Sequence, residues 1–472
     1  MACCWWKKLS SDKDNTWSWI LCFLAAFSNA LHFGVSLSFG VLLPYLLDHF
    51  KESIDKTATA GSVAIAITFL ATLPAGKLVD YFGLRVVSLA GSLICALSLL
   101  LTSFAKSIVV IYFTYSLGFG VGSSFLYTAS MFVTTKYFKK RRATAVGIVC
   151  AGGGCGYLAM GPLIQLSLNE LGIATSFRIM AGVLFLPGIF SLLYSSDTKT
   201  AMKTEERRED LDTRPLKKVH VKKKMVDCLI WKNPSYTVNI ASLTLASLAH
   251  YIPQLYLVEN CETLGISAMK ASQLLIFIGL ATIFTRTTIG FLLNYPRVSS
   301  SLVFQCSQLL DAFVHLTIPF ANKYEHFVIV SVLYGCADGA FCTTLNHILL
   351  TYVRKPEQVS AAFGYGCIVN SMTIAAGAPL AGILIQYYNS YSPAFFAGAG
   401  VLFISSMIPS VYLFIEGIIS QCCKHPRRNL ESTIAKLCPK HKLECEHSKD
   451  KERLQPDPVG PSLTAVNIGV FI

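Results

Sequence analysis

Twelve runs of apolar residues, each about the length of a membrane-crossing helix, leave this chain few folds to choose from. A helix needs about 20 apolar residues to cross a bilayer. Such runs lie approximately at 19–43, 59–79, 86–104, 108–133, 144–167, 177–195, 235–258, 272–293, 299–320, 327–352, 360–386 and 394–416. With no water in the bilayer core to bond the backbone amides, helix is the form that satisfies them over runs of this length. Composition agrees: of 472 residues only 14% are charged, where a soluble domain carries about a quarter. The first run is longer than the apolar core of a signal peptide, and no small-residue cleavage site follows it, so it reads as a membrane helix.

The charge distribution orients the helices, because basic residues near helix ends stay on the cytoplasmic side. With a cytoplasmic N-terminus, thirty-three of the forty Lys and Arg fall on inside segments, and six fall outside: Lys51, Lys56, Lys106, Arg178, Lys270 and Lys323. The fortieth, Arg286, lies inside an apolar run. The net charge of +13 is then a belt facing anionic headgroups, and no nucleic-acid partner is implied.

The segment "SSDTKTAMKTEERREDLDTRPLKKVHVKKKMVD" is too charged to bury, and it separates six runs from six. At an offset of 217, Gly118 meets Gly335, Gly122 meets Gly339, Gly147 meets Gly364, Pro162 meets Pro379 and Leu163 meets Leu380. These coincidences predict an all-α membrane protein, with twelve transmembrane helices in two pseudo-symmetric six-helix bundles. Its parts are a cytoplasmic N-terminus (1–18), an N-terminal bundle (19–195), a basic cytoplasmic linker (196–234), a C-terminal bundle (235–417) and a disordered cytoplasmic tail (418–472). In such repeats the binding site lies between the bundles near the midplane.

The sixteen cysteines are scattered, many within apolar runs, where a thiol behaves as a small hydrophobe. Cys3, Cys4, Cys422 and Cys423 sit beside the membrane, where S-palmitoylation is chemically accessible. The tail set Cys438, His441, Cys445 and His447 has no standard zinc spacing, and the terminal "GVFI" is at most a weak peptide-domain signal. No metal and no cofactor is called for. The glycine-rich "AGGGCG" at 151–156 lacks the Lys-Ser/Thr of a phosphate loop and lies in an apolar run, so it predicts close helix packing.

Arg286 is the residue that most needs an explanation. An arginine at the centre of a membrane helix costs at least about 3 kcal/mol and cannot be neutralised by losing its proton. Asp311 and Asp338 also lie well inside apolar runs. Asp311 has His315 one helical turn away, a local partner. Asp338 has none, which predicts an Arg286–Asp338 pair. His32, His250 and His347 read first as helix–helix hydrogen-bonding groups, and Asn29, Tyr112, His250 and Tyr251 are candidates to line a cavity around the pair.

Three motifs carry a family resemblance. "GKLVDYFGLR" (76–85) resembles the loop signature of the major facilitator superfamily, with Gly76, Leu78, Asp80 and Gly83 in place and Arg85 one position late. "YFKKRRATAVGIVCAG" (137–152) resembles the fifth-helix signature of the monocarboxylate transporter family (solute carrier family 16), through Tyr137, Phe138, Arg141, Arg142, Ala145, Gly147, Ala151 and Gly152. "DNTWSWI" resembles that family's first-helix signature through Asp14, Trp17 and Trp19, with Asn15, Thr16 and Ser18 replacing its glycines and tryptophan spacing kept. The resemblance implies the major facilitator fold, with Asp80, Arg85, Arg141 and Arg142 forming a cytoplasmic latch. In that fold the ninth helix, which carries Asp311, is peripheral.

Proton-coupled members of this family have Asp-x-x-x-Arg in the eighth helix and a lysine in the first. Here the Arg position is Arg286, the Asp position is Thr282 and the lysine position is Leu37. "CADGAF" and "YFTYSLGFGVGSSF" resemble instead the branch that carries thyroid hormones and aromatic amino acids, which pairs an eighth-helix Arg with a tenth-helix Asp. "HYIPQLYL" is similar to that branch's seventh helix, with Tyr256 where the branch has histidine. Its first-helix histidine aligns with Ser36, and the family's fifth-helix Asn aligns with Val146.

The resemblance therefore implies a transporter rather than an enzyme, carrying organic monocarboxylates or carboxylate-bearing aromatic amino-acid-like solutes by alternating access in the plasma membrane. Both termini would be cytoplasmic. The partners would be the small solute and the bilayer, with room for a single-span accessory glycoprotein. Loss of both proton-handling residues predicts facilitated diffusion or exchange. The alternatives are a proton-coupled lactate or pyruvate symporter and a non-transporting solute receptor on a carrier fold.

Overall fold

The computed structural model describes residues 13–52, 54–194, 228–353 and 358–437. Residues through Pro409 make up one compact unit and those from Ser410 a second. The helices are α1 (Thr16–Leu37), α2 (Phe39–Phe50), α3 (Ile54–Leu70), α4 (Thr72–Thr102), α5 (Ile108–Ile111), α6 (Gly120–Tyr137) and α7 (Arg142–Ser191). They continue with α8 (Pro234–Ala246), α9 (Ile252–Thr263), α10 (Ala268–Leu292), α11 (Ser300–Thr317), α12 (Tyr324–Thr351), α13 (Val359–Tyr388) and α14 (Ser392–Leu437). A stretch of π-helix, Tyr112–Phe119, joins α5 to α6. No strand occurs among the described residues.

Nine continuous apolar helices among the described residues are long enough to span a bilayer, yet the chain crosses twelve times. Helix α7 has 50 residues, or roughly 75 Å at 1.5 Å per residue, far more than the ~30 Å hydrocarbon core. It turns back at Gly172, where φ is 76° and ψ 173°, a left-handed backbone open to glycine at little cost. Helix α4 turns in the same way at Gly83 (φ 85°, ψ 165°), so its first part completes the crossing begun by α3. Gly83 is the glycine of the "GKLVDYFGLR" motif, and the turn is what that position requires. Helices α8 and α9 together make the seventh crossing. The passes are therefore α1–α2, α3 with early α4, late α4, α5–α6, early α7, late α7, α8–α9, α10, α11, α12, α13 and α14.

Small residues let the passes approach closely. A Cβ at Gly152 or Gly156 would run into the carbonyls of Ala26 and Ala30 on pass one, so the "AGGGCG" stretch is a helix-packing surface. A Cβ at Gly147 would lie 2.8 Å from Gly290 Cα on pass eight, and one at Gly364 would lie 2.6 Å from Leu73 Cα on pass two. Gly147 and Gly364 match under the 217-residue offset. Each stands where its half meets the other, five against eight and eleven against two, as a pseudo-two-fold requires.

Two expectations about segment ends need correction or fall outside view. The last helix runs to Leu437, past the expected start of a disordered tail at 418; "NLESTIAKL" is rich in the helix formers Leu, Glu, Ala and Lys. The linker up to residue 227, Cys3, Cys4, the Cys438–His447 set and the terminal "GVFI" lie outside the described residues.

Candidate functional site

Pass seven is interrupted just where a polar side chain enters it. Helix α8 ends at Ala246 and α9 begins at Ile252, with Pro253 near the start of α9, where its missing N–H is harmless. The break leaves backbone carbonyls without helical partners in the membrane interior, and the neighbouring passes supply donors. His315 Nε2 on α11 lies 3.1 Å from Ala249 O, and the Tyr334 hydroxyl on α12 donates to His250 O at 2.9 Å. Interrupted helices of this kind mark solute and ion sites in carriers.

Beside that break a chain of charged groups crosses four passes. Arg286 Nη2 on α10 donates to Asp338 Oδ2 on α12 at 3.1 Å, and Arg286 Nη1 donates to the Cys150 carbonyl on α7 at 2.9 Å. Asp338 Oδ2 also accepts from Thr282 Oγ1 at 3.2 Å, while its Oδ1 lies 3.3 Å from His250 Nε2. The other ring nitrogen, His250 Nδ1, is 2.6 Å from Asp311 Oδ2 on α11. The His250 ring stacks on Phe341 at 4.2 Å and meets the Tyr251 ring edge-on at 4.7 Å. Arg286 and Asp338 are 15% and 13% exposed, whereas His250 and Asp311 are 0% and 1%. The first pair is therefore partly open and the second sealed.

Space around Arg286 comes from pass five. A Cβ at Gly153 or at Gly154 would sit 3.8 Å from Arg286 Nη1, and Gly153 also borders the Asn29 amide and the Phe33 ring. Asn29 Nδ2 donates to Val149 O at 2.8 Å, and its Oδ1 accepts from His32 Nε2 at 2.9 Å. Tyr127 on pass four donates to Asn346 Oδ1 on pass ten at 2.9 Å, joining the two halves beside Cys150.

Of the candidates named from sequence, Arg286, Asp338, His250, Tyr251 and Asn29 thus share one region. Tyr112 does not join them: its hydroxyl donates to Lys56 O at 2.6 Å, at the start of pass four where α5 gives way to the π turn. Asp311 has the local partner expected, with His315 Nδ1 3.2 Å from its Oδ1 and 2.9 Å from its main-chain carbonyl, and a closer one on another pass, His250. An i, i+4 spacing puts two side chains on one helix face but does not say which neighbouring pass comes closer.

At the end of the bundle that bears the basic loops, further contacts join the passes. Asp80 Oδ2 accepts from Ser360 Oγ on pass eleven at 2.7 Å. Arg142 Nη2 reaches back to Thr135 O and Phe138 O at 3.5 Å. Asn294 on pass eight bonds Thr144 on pass five. The main-chain N–H groups of Lys139, Lys140 and Arg141 all donate to Asp14, at 3.2, 2.9 and 3.0 Å. Partial burial raises the Asp14 carboxyl, but those three bonds and the Arg141 charge outweigh it and hold it below the usual range. With Trp19 edge-on to Phe138 at 4.9 Å, the "DNTWSWI" and "YFKKRR" motifs dock on one another. Arg85 lies on α4, half-buried, beyond the Gly83 turn.

Comparison with known proteins agrees with this architecture. Residues 19–310 match the Major Facilitator Superfamily. The chain is 25% identical to monocarboxylate transporter 10 of Danio rerio over 389 residues, 81% of this chain and 75% of that one. It is 25% identical to monocarboxylate transporter 2 of Homo sapiens over 451 residues, 93% of each. Among solved structures, the fucose:proton symporter of E. coli superposes with a TM-score of 0.60 at 15% identity, covering 83% of this chain and 98% of that one. That likeness speaks for the fold. Twelve crossings, a polar site at an interrupted helix and these relatives together make the chain a multi-pass membrane transporter that belongs to the major facilitator superfamily and is related along most of its length to the monocarboxylate transporters.

Proposed function

We propose that this protein carries organic monocarboxylates, including carboxylate-bearing aromatic amino-acid-like solutes, across the plasma membrane by alternating access. The observation that carries the reading is the Arg286–Asp338 contact of 3.1 Å, partly open, with the guanidinium also bonded to the opposite half at Cys150. A guanidinium presents a planar fork that matches a carboxylate. In the empty carrier Asp338 occupies that fork; the solute carboxylate takes its place and, through Arg286, touches both halves at once. The halves then rock about the site, exchanging the packed contacts at Gly147–Gly290 and Asp80–Ser360 for contacts at the other end. The end that carries the basic loops faces the cytoplasm, with both termini and the linker between the six-helix halves.

Arg286→Lys tests this in proteoliposomes with radiolabelled lactate, pyruvate, tryptophan, tyrosine and iodothyronines. A point ammonium does not reproduce the fork, and losing one bidentate contact of about 2–3 kcal/mol lowers uptake roughly 30- to 160-fold while membrane insertion is kept. Normal uptake by a correctly inserted Arg286→Lys protein removes Arg286 from the site. Saturable binding without flux by the unaltered protein identifies a receptor instead of a carrier.

A further inference from the structure

Passes five and ten each bring one thiol to the same place between the halves. Asn346 Nδ2 lies 3.6 Å from Cys150 Sγ and 3.7 Å from Cys342 Sγ, and the two thiols are hydrogen-bonding neighbours of one another. Cys150 is sealed, at 2% exposure, while Cys342 is half-buried, one turn beyond Asp338 on α12. The Cys150 carbonyl accepts from Arg286 Nη1, so the pair adjoins the space around the guanidinium. Cys22 and Cys95 instead bond main-chain carbonyls of a neighbouring pass, the ordinary behaviour of a thiol used as a small packing group.

The depth of the pair in the membrane gives it a consequence. The hydrogen bonds that join the halves at Arg286–Cys150, Tyr127–Asn346, Asn294–Thr144 and Ser360–Asp80 run from Arg286 toward the end that bears the basic loops. Cys150 and Cys342 lie within that set, among contacts that must part if this end is to open. A hydrogen bond can be exchanged for another at small net cost, but a covalent link cannot.

We propose that Cys150 and Cys342 are a redox-modification site, oxidised by a peroxide to a disulfide that ties pass five to pass ten and holds the basic-loop end shut. This rests on the reading that the halves rock to alternate access, and not on which solute is carried. The oxidant enters through the partly open site and meets Cys342. Its thiolate, the reacting form, attacks one oxygen of hydrogen peroxide. The O–O bond breaks, Cys342 becomes a sulfenic acid, and the other oxygen leaves as water with the thiol proton. The Cys150 sulfur then attacks the Cys342 sulfur and displaces hydroxide, which leaves as a second water with the Cys150 proton. Two thiols are thereby oxidised to one disulfide, and one peroxide is reduced to two waters. A bond of about 2 Å between sulfurs that are already neighbours asks for side-chain rotation and a small shift of one pass. A dithiol reverses the link by exchange.

The test uses the full chain in liposomes treated with hydrogen peroxide or with buffer alone, and afterwards with or without dithiothreitol. Mass spectrometry of the digested protein should find the Cys150 and Cys342 peptides joined after peroxide and separate after dithiothreitol. Uptake of radiolabelled lactate and tryptophan should fall in proportion to the joined fraction and return on reduction. In Cys150→Ser, and independently in Cys342→Ser, peroxide should leave uptake at its untreated rate, whatever that rate is. Cys336→Ser, which alters another thiol of α12, should keep the reversible loss. Where neither solute is carried, amide hydrogen exchange over 142–147 and 346–351 replaces uptake as the readout, and it should slow in the joined protein. Peptides that never join overturn the proposal, as do joined chains that carry solute as before. A Cys150→Ser protein that still loses uptake reversibly also overturns it, since one thiol would then suffice. If neither solute enters the untreated protein while the link forms and slows exchange, the carboxylate reading fails and this one stands; if exchange is unchanged, this one fails.

Discussion

Two buried histidines occupy nearly matching places in the two halves, and their surroundings differ completely. His32 on pass one has Ser123 Oγ at Nδ1 and Asn29 Oδ1 at Nε2, both at 2.9 Å. His250 on pass seven has carboxylates at both nitrogens. The Asn29 amide, held by Val149 O, accepts from Nε2 and the Ser123 hydroxyl donates to Nδ1, so His32 is satisfied as a neutral ring and ties passes one and four together. Carboxylates cannot turn into donors without taking a proton. The same residue type at nearly matching positions thus has two neutral partners in one half and two carboxylates in the other.

The contrast can be broken most forcefully at Asp338. Asp338→Asn leaves Arg286 facing a neutral amide in the membrane interior, and removing one partner of a buried pair costs about 3–5 kcal/mol. The expected result is a drop in the thermal midpoint of the purified protein in detergent, together with loss of uptake. An unchanged midpoint would mean that water already screens Arg286. A middle-sized effect belongs to His32→Gln, which loses one well-placed hydrogen bond of about 1 kcal/mol. Its uptake should persist where that of Asp338→Asn is lost, and a loss as complete would erase the distinction between His32 and the Arg286 site.

The smallest effect is at Asp14, the N-terminal half's own carboxylate, held by backbone N–H groups at the membrane edge. Asp14→Ala should cost about 0.5 kcal/mol, the low end for a lost helix-cap interaction. Because its folded pKa lies below the unfolded value, the contribution is fully present above the ordinary carboxylate range, near about 4. It is lost as pH falls through the lower folded value. The midpoint difference between the unaltered protein and Asp14→Ala should therefore shrink on acidification, and a difference that grows would show the sign to be wrong.

Much of the fold is readable without coordinates because its causes are local. Each crossing is a run of apolar side chains, and Gly83 lies in a loop motif whose turn needs a left-handed residue. Arg286 and Asp338 attract notice because each is too costly to leave alone in hydrocarbon, and they stand together here across 52 residues of sequence. Asp311 shows where such reasoning stops. His315, its neighbour along the helix, lies 3.2 Å from one carboxylate oxygen, but His250, 61 residues away, comes to 2.6 Å of the other. Tyr112, aromatic and in an apolar run, had equal claim to the cavity, but the π turn places its hydroxyl on Lys56 O.

Apolar length, charge asymmetry and isolated ions therefore determined, from sequence alone, that this is a twelve-pass helical protein with an arginine needing a counter-ion, since burial in lipid prices each residue by its own chemistry. The tertiary structure decided which face of each helix meets which neighbour. The interruption of pass seven between Ala246 and Ile252 brings His250 between Asp311 and Asp338, because a side chain's protonation partners depend on helix rotation and on where the backbone unwinds. Neither of those is written in the order of residues along a single span.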